Sequence, residues 1–197
     1  MPRKNPRNTK ARIVSAAWKL FYEQGYEETT VEDIIFESET SKGTFYHYFE
    51  GKDALLGTLS VLFDEKYQEL METMDMSANS IELLEMLNRE LFAMIDRSVS
   101  LDLLARLLSS QLITRGEKHL LDRNRIYFKL LRKIVSDGQE KGEIRSDMSV
   151  NEITKAYAMW ERALLYDWCL CGGEYSLLKY TKTMTPMFIE GFREKNK

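Results

Sequence analysis

Residues 29–53, TTVEDIIFESETSKGTFYHYFEGKD, constrain the fold more than any other stretch of this chain. Thr29 and Thr30 carry hydroxyls that can accept from the first free N–H groups of a helix. A short helical pattern follows, with Val31, Ile34 and Ile35 apolar and Glu32, Asp33 and Glu37 polar. The early acids suit the positive end of the helix dipole. Ser38-Glu39-Thr40 breaks the pattern, and Ser41 is placed to cap a second short helix, SKGTFYHYF. Two short helices across a tight turn form a helix-turn-helix, whose second helix enters the major groove of DNA.

The second helix has the composition for that role. Phe45 and Phe49 are four residues apart, so they share one face and anchor it to a core. Lys42, Gly43, Thr44, His47 and Tyr48 occupy the other face, flanked by Tyr46. They offer donors, a methyl group and flat rings to phosphates and base edges, and Gly43 permits close backbone approach. A polar surface helix with no ligand fits the same pattern.

TTVEDI, then SKGTFYHYF, then KDALL resembles the DNA-binding signature of the TetR family of bacterial one-component repressors, over about the first quarter of the chain. The resemblance implies an all-α protein: an N-terminal three-helix DNA-binding domain and a C-terminal helical ligand-binding and dimerisation domain, about nine helices in all. It places Thr30 as a cap near a phosphate, with Ser41, Lys42, Gly43 and Thr44 at the groove-facing start of the recognition helix. It further implies that Tyr46, His47 and Tyr48 touch backbone or bases and that Lys52 holds a phosphate. Two departures are visible: Glu39 stands where the family usually has a turn glycine, and Ile35 where it has a small residue. A non-glycine residue in a left-handed turn carries strain.

The 197 residues suffice for one large or two modest cores. With 44% hydrophobic and 30% charged residues, a mostly disordered chain is excluded. No apolar run approaches the roughly 18 residues that span a bilayer, and Lys19 interrupts any apolar signal region. A cytoplasmic protein without a membrane segment is expected. The net charge of −3 does not by itself point to nucleic acid, but its distribution does. Arg3, Lys4, Arg7, Lys10, Arg12 and Lys19 precede the first acid, Glu23, leaving 22 basic against 31 acidic residues beyond. A basic arm beginning PRKNPR can follow a phosphate backbone or enter a minor groove. Six acids between Glu27 and Glu39 limit the phosphate contacts and argue for a moderate salt dependence.

Helical periodicity continues along the chain. Ile13, Ala16, Ala17, Leu20 and Phe21 make one stripe over residues 9–24, ended by Gly25. A long helix is expected from Lys52 to Met74, and the resemblance makes it the lever that transmits ligand state. Further helices are expected over residues 80–97, 101–114, 117–141, 149–172 (opened by the capping box Ser149-x-x-Glu152) and 176–195. The expected domains are residues 1–53, with the basic arm, and residues 54–197.

Tyr157, Met159, Trp160, Leu164, Leu165, Tyr166 and Trp168 surround more than one face of the 149–172 helix, which therefore needs two burial partners. One is its own core, the other a second subunit, giving a homodimer through the last two helices. The family places its effector pocket on helices that here carry Met94, Tyr127, Phe128, Tyr157 and Trp160, although such residues are also ordinary core. Ten methionines suit a small, largely apolar effector. Cys169 and Cys171 are too close along a helix for a good disulfide, and with two histidines no metal site is expected. No catalytic constellation or cofactor motif is present. The expectation is a ligand-responsive repressor that binds a palindromic operator on double-stranded DNA; the alternatives are a helical enzyme using Cys169 and a helical adaptor.

Overall fold

A computed structural model describes residues 6–113 and 118–195. Among these residues the chain is all-α, as expected, with ten α-helices and two 3-10 turns. It divides into two compact units. The first holds the described residues up to Val61 together with those from Asp102 to His119, and the second holds Leu62–Leu101 and the described residues from Leu120 onward. The basic arm lies outside the described residues as far as Asn5, as does the expected boundary between helices at residues 114–117.

In the first unit, α1 (Pro6–Glu23), α2 (Val31–Glu37), α3 (Lys42–Tyr48) and α4 (Lys52–Leu56) enclose a small core. Ile13, Ala17, Ile34, Phe45 and Leu55 are fully buried in it. Val31 is only partly buried, and Tyr22, next to Phe21 on α1, is exposed. Two of these helices have seven residues and one has five, too short to persist alone. Side-chain caps on α2 and α3, and this core, hold them.

The single helix expected after Lys52 is two, because α5 (Leu59–Thr73) starts only after a turn at Gly57-Thr58. The Thr58 hydroxyl donates to the Leu55 carbonyl at 2.6 Å and accepts from Trp18 Nε1 at 2.9 Å. A threonine that satisfies the freed carbonyl, beside a glycine, makes the interruption cheap. Apolar periodicity does not register it.

The second unit packs α6 (Ser80–Ser98), α8 (Ile126–Glu140), α9 (Val150–Leu170) and α10 (Leu177–Ile189) around Leu84, Ile95, Leu131, Ile134 and Tyr157. α7 (Leu101–Ile113) belongs from Asp102 onward to the first unit. The helix expected over 117–141 is shortened. A 3-10 turn, His119–Leu121, precedes a turn in which Asp122 accepts from the Asn124 amide at 2.9 Å, and α8 begins at Ile126. The last helix also ends early, at Ile189. Pro186 removes one backbone donor, and residues beyond the 3-10 turn Glu190–Phe192 pair in extended form, Arg193 with Ile144.

Gly138 sets one close approach inside this unit. A Cβ there would lie 2.7 Å from Ile144 Cδ1 and 2.7 Å from Ser80 Cβ. Both neighbours are fully buried. Gly138→Ala is therefore expected to destabilise the protein by about 1–3 kcal/mol through overpacking, despite alanine's better helix propensity. Urea unfolding checks this; a variant as stable as the parent would show that the neighbours yield.

Candidate nucleic-acid interface and ligand-binding body

The recognition helix is presented by its caps and by one buried ring. Thr30 caps α2: its hydroxyl accepts from the Asp33 amide at 3.1 Å, while the Asp33 carboxylate accepts from the Thr30 amide at 2.8 Å. The Thr30 hydroxyl also donates to Asp33 Oδ2 at 2.7 Å, and that bond and the one from the Thr30 amide hold the Asp33 carboxyl below its ordinary range. Ser41 caps α3, accepting from the Thr44 amide at 3.1 Å, and its hydroxyl lies 2.8 Å from that of Thr44. Phe45 is fully buried, so the opposite side of α3 faces solvent: Ser41, Lys42, Gly43, Tyr46 and His47 are exposed, Thr44 and Tyr48 half-buried. Tyr46 packs edge-on against Phe45, and His47 against Tyr48 at 4.9 Å.

Two contacts bear on the electrostatics. Lys42 Nζ donates to Glu32 at 3.1 Å, which raises its pKa and lowers that of Glu32. Both side chains are two-thirds exposed. Such a pair is worth little and can yield to a phosphate. Lys52 is different. Its Nζ donates to the carbonyls of Tyr26 at 2.6 Å, Thr29 at 2.8 Å and Glu27 at 3.3 Å, and sits 4.3 Å from the Tyr26 ring centre. Its donors are directed into the domain, closing the loop before α2.

Glu39 occupies the left-handed turn position that its sequence placement implies, with φ of +48°. Arg12 of α1 straps the turn: its guanidinium donates to the carbonyl of Ser38, and to the carbonyl and carboxylate of Glu39 at 3.2 and 3.3 Å. Tyr26 was not singled out from sequence, yet it is a junction of the first unit. It is buried, donates to Asp53 and packs on Phe21 at 4.9 Å. Arg106 from α7 sits 4.8 Å from its ring centre and bonds Glu27 at 2.6 Å. A tyrosine just past the helix-stopping Gly25 gives no periodic signal.

Of the five expected effector residues, Tyr127 lies close to both Tyr157 and Phe128, its ring centre 4.9 Å from that of Phe128. Tyr127 and Tyr157 belong to a buried polar cluster joining α6, α8, α9 and α10. The Glu161 carboxyl accepts from Tyr127 at 2.6 Å and from Asn88 at 3.0 Å. Thr185 donates to Asn88 at 2.7 Å, and Tyr157 to the Leu84 carbonyl at 2.8 Å. Trp160 instead stacks on Phe188 at 4.8 Å. Phe128 also lines a cavity, and Met94 is half-buried on α6. Asn88, Glu161 and Thr185 were missed because isolated polar residues on an apolar helix carry no spacing signal. Cys169 and Cys171 are free thiols, and burial pushes the Cys169 pKa up to about 11, away from thiolate chemistry.

Caps at Thr30 and Ser41, a left-handed turn between two short helices, and an exposed polar face on the second define a helix-turn-helix DNA-binding module. Residues 13–59 match the model for bacterial regulatory proteins of the tetR family, so the DNA-binding domain is of that type and the chain is a DNA-binding transcriptional regulator. A regulator from Lactococcus lactis subsp. lactis is 48% identical over 48 residues, but that match covers only 24% of either chain. The transcriptional repressor DhaR of Mycobacterium sp. (strain GP1) is 27% identical over 78% of this chain and 79% of its own. The solved structure of Thermus thermophilus FadR, a repressor in complex with lauroyl-CoA, superposes with a TM-score of 0.73 at 23% identity. That superposition covers 95% of this chain and 97% of the Thermus protein.

Burial raises the Glu161 pKa, with the bonds from Tyr127 and Asn88 opposing it. The folded chain thus keeps a proton that the unfolded chain releases. Stability from this group is fully present below the ordinary glutamate pKa of about 4.3 and declines as pH rises toward the raised folded value. Glu161→Gln, which retains the shape, is expected to flatten that decline and exceed the parent's stability at neutral pH. Urea midpoints across a pH series test this; parallel curves would contradict it.

Proposed function

We propose that this regulator is a cytoplasmic, homodimeric repressor that binds a palindromic operator and is released by a small, largely apolar effector. The observation carrying the reading is the division of α3: Phe45 inward, and the side bearing Lys42, Gly43, Tyr46 and His47 to solvent. Ser41, Lys42, Gly43 and Thr44 approach base edges and phosphate at the start of the helix. Tyr46, His47 and Tyr48 extend the contact, and the Thr30 end of α2 meets the backbone. Lys52 acts one step back, keeping the loop before α2 in shape. Functionally, residues 1–53 read DNA, with the basic arm along its backbone, and residues 54–197 take up effector and partner.

The homodimer is supported by what α9 and α10 leave uncovered. Tyr157, Leu164, Leu165 and Trp168 are buried, whereas Met159, Tyr166 and Leu170 are exposed at seven- and four-residue spacing along one face of α9. Tyr180 and Met187 are exposed on α10, Met187 by 69%. Two copies meeting through this apolar face would present two recognition helices, the arrangement a two-fold operator requires. Repression, and an effector with an apolar part, are in keeping with the similar regulators, one a repressor by name and one a repressor solved with lauroyl-CoA, whose lauroyl chain is apolar. No helix among the described residues is long and apolar enough to cross a membrane. The effector acts through its differential affinity for the DNA-competent and DNA-incompetent arrangements.

Lys42→Ala and Tyr46→Ala are each expected to weaken binding to the upstream DNA by about 1–3 kcal/mol while leaving the dimer intact. Lys42→Ala also lowers the salt slope by about one per subunit. Fluorescence anisotropy across a salt series, with sedimentation of the same samples, measures both; a variant that loses its dimer yet keeps its affinity contradicts the reading. Met187→Glu, placing a charge in the apolar face, is expected to shift the protein to monomer and to reduce operator affinity at least about tenfold, since one half-site then binds alone. A dimeric Met187→Glu protein would move the interface elsewhere.

A further inference from the structure

An open concavity of about 500 Å³ lies where α2 meets the start of α3, lined by Glu32, Ile35, Phe36, Glu39, Thr40 and Lys42. Lys42 belongs to the exposed side of the recognition helix, so the concavity carries that side over onto α2. Glu32 and Phe36 are four residues apart on α2 and share a face. Neither serves the core. Phe36, at 86%, is the most exposed of the large hydrophobic residues described, and the Glu32 side chain is two-thirds exposed. A carboxylate beside a DNA-reading face meets the repulsion of phosphates, and a bare ring there meets water. Each is a liability on such a face unless a base meets it.

The Glu32 carboxylate is paired with Lys42, whose Nζ lies 3.1 Å from Oε1. The pair presents one donor beside one acceptor. The major-groove edge of a G·C pair presents the complement: guanine O6 accepts and cytosine N4 donates. Those two base atoms hydrogen-bond to each other, so they stand about 2.9 Å apart, close to the spacing of Nζ and Oε1. Edge to edge, Nζ donates to O6, and Oε1 accepts from N4 through the hydrogen that base pairing leaves free. A phosphate attracts Lys42 but repels Glu32, whereas a G·C edge satisfies both members together. Turned round, the base pair sets donor against donor and acceptor against acceptor. A T·A pair keeps the order of donor and acceptor. Its adenine N7, however, faces the carboxylate, and a methyl stands where guanine N7 would meet the ammonium. Phe36, with Ile35 on the apolar side of the concavity, suits the thymine methyl of an adjoining pair.

We propose that α2 shares in base reading: the Glu32–Lys42 pair recognises one G·C base pair in each half-site, and Phe36 packs on a thymine methyl beside it. The proposal rests on the reading of α3 as the DNA-binding helix and extends it to two side chains outside that helix. Glu32 acts as a selector. It repels duplexes in general and is compensated only where cytosine supplies a donor.

The test incubates the full-length protein with a library of its upstream DNA, randomised across the half-sites, and sequences the duplexes retained. The parent is expected to favour G·C at one position of each half-site by at least about tenfold. Glu32→Ala is expected to reduce that preference to below about threefold and to leave the other positions as they were. Glu32→Gln keeps the shape and is expected to shift the cytosine toward adenine, which an amide meets at both N6 and N7. Phe36→Ala is expected to lose thymine at the adjoining pair. Tighter binding of Glu32→Ala to every duplex alike, with each positional preference retained, overturns the proposal and leaves Glu32 a repelling charge only. Thymine retained by Phe36→Ala overturns the part given to that ring. A parent that selects a clear operator whose preferences both Glu32 variants preserve sinks this proposal alone. A parent that retains no duplex above the unselected library at low salt sinks the regulator reading, and this proposal with it.

Discussion

Burial of the Phe45 ring makes a seven-residue helix into a surface that DNA can meet. A helix of this length gains too few internal hydrogen bonds to offset the cost of starting it, so it persists only through tertiary packing. Phe45 and Phe49 seat α3 against α1 and α2, with Ile13, Ala17 and Ile34 completing the contact. Their inward direction leaves the side carrying Lys42, Tyr46 and His47 to solvent. The polar face is therefore a consequence of the apolar one.

The rest of the first unit holds that seating in register. Glu39 spans the turn in a left-handed conformation that a glycine would adopt without strain, and Arg12 compensates by binding both carbonyls that the turn exposes. Tyr26 is clasped by two cations, Lys52 and Arg106, whose positive charge sits over its ring. The lysine that a family signature assigns to phosphate is, in this chain, part of that clasp. Position in a motif therefore does not settle role. Nearby acceptors do, and three carbonyls converge here.

The second unit uses polar groups differently. Glu161, Asn88, Tyr127 and Thr185 form a connected cluster inside an otherwise apolar bundle. Such a cluster adds less net stability than aliphatic packing of equal volume, but it accepts few alternative registers among α6, α8, α9 and α10. The Thr154 hydroxyl of α9 contrasts with it: it is buried without a hydrogen-bond partner among the described residues. The inner cluster specifies packing.

Much was legible in the sequence because it depends on local repetition. Helical class, the caps at Thr30, Ser41 and Ser149, the inward face of α3 and the exposed apolar stripe of α9 all follow from spacing and from which side chains can satisfy a free N–H. The break at Gly57-Thr58, the shortened α8 and the role of Lys52 were not legible, since each turns on a partner far along the chain, such as Trp18 for Thr58 or the Tyr26 carbonyl for Lys52. That Tyr127 and Tyr157 meet around Glu161 while Trp160 stacks on Phe188 has the same origin. Periodicity tells which residues turn inward, but only the packing of helices distant in sequence decides which of them meet. The sequence by itself thus determined an all-α chain with a DNA-reading head, whereas the tertiary structure decided where its charges are neutralised, because the partners come together only through packing.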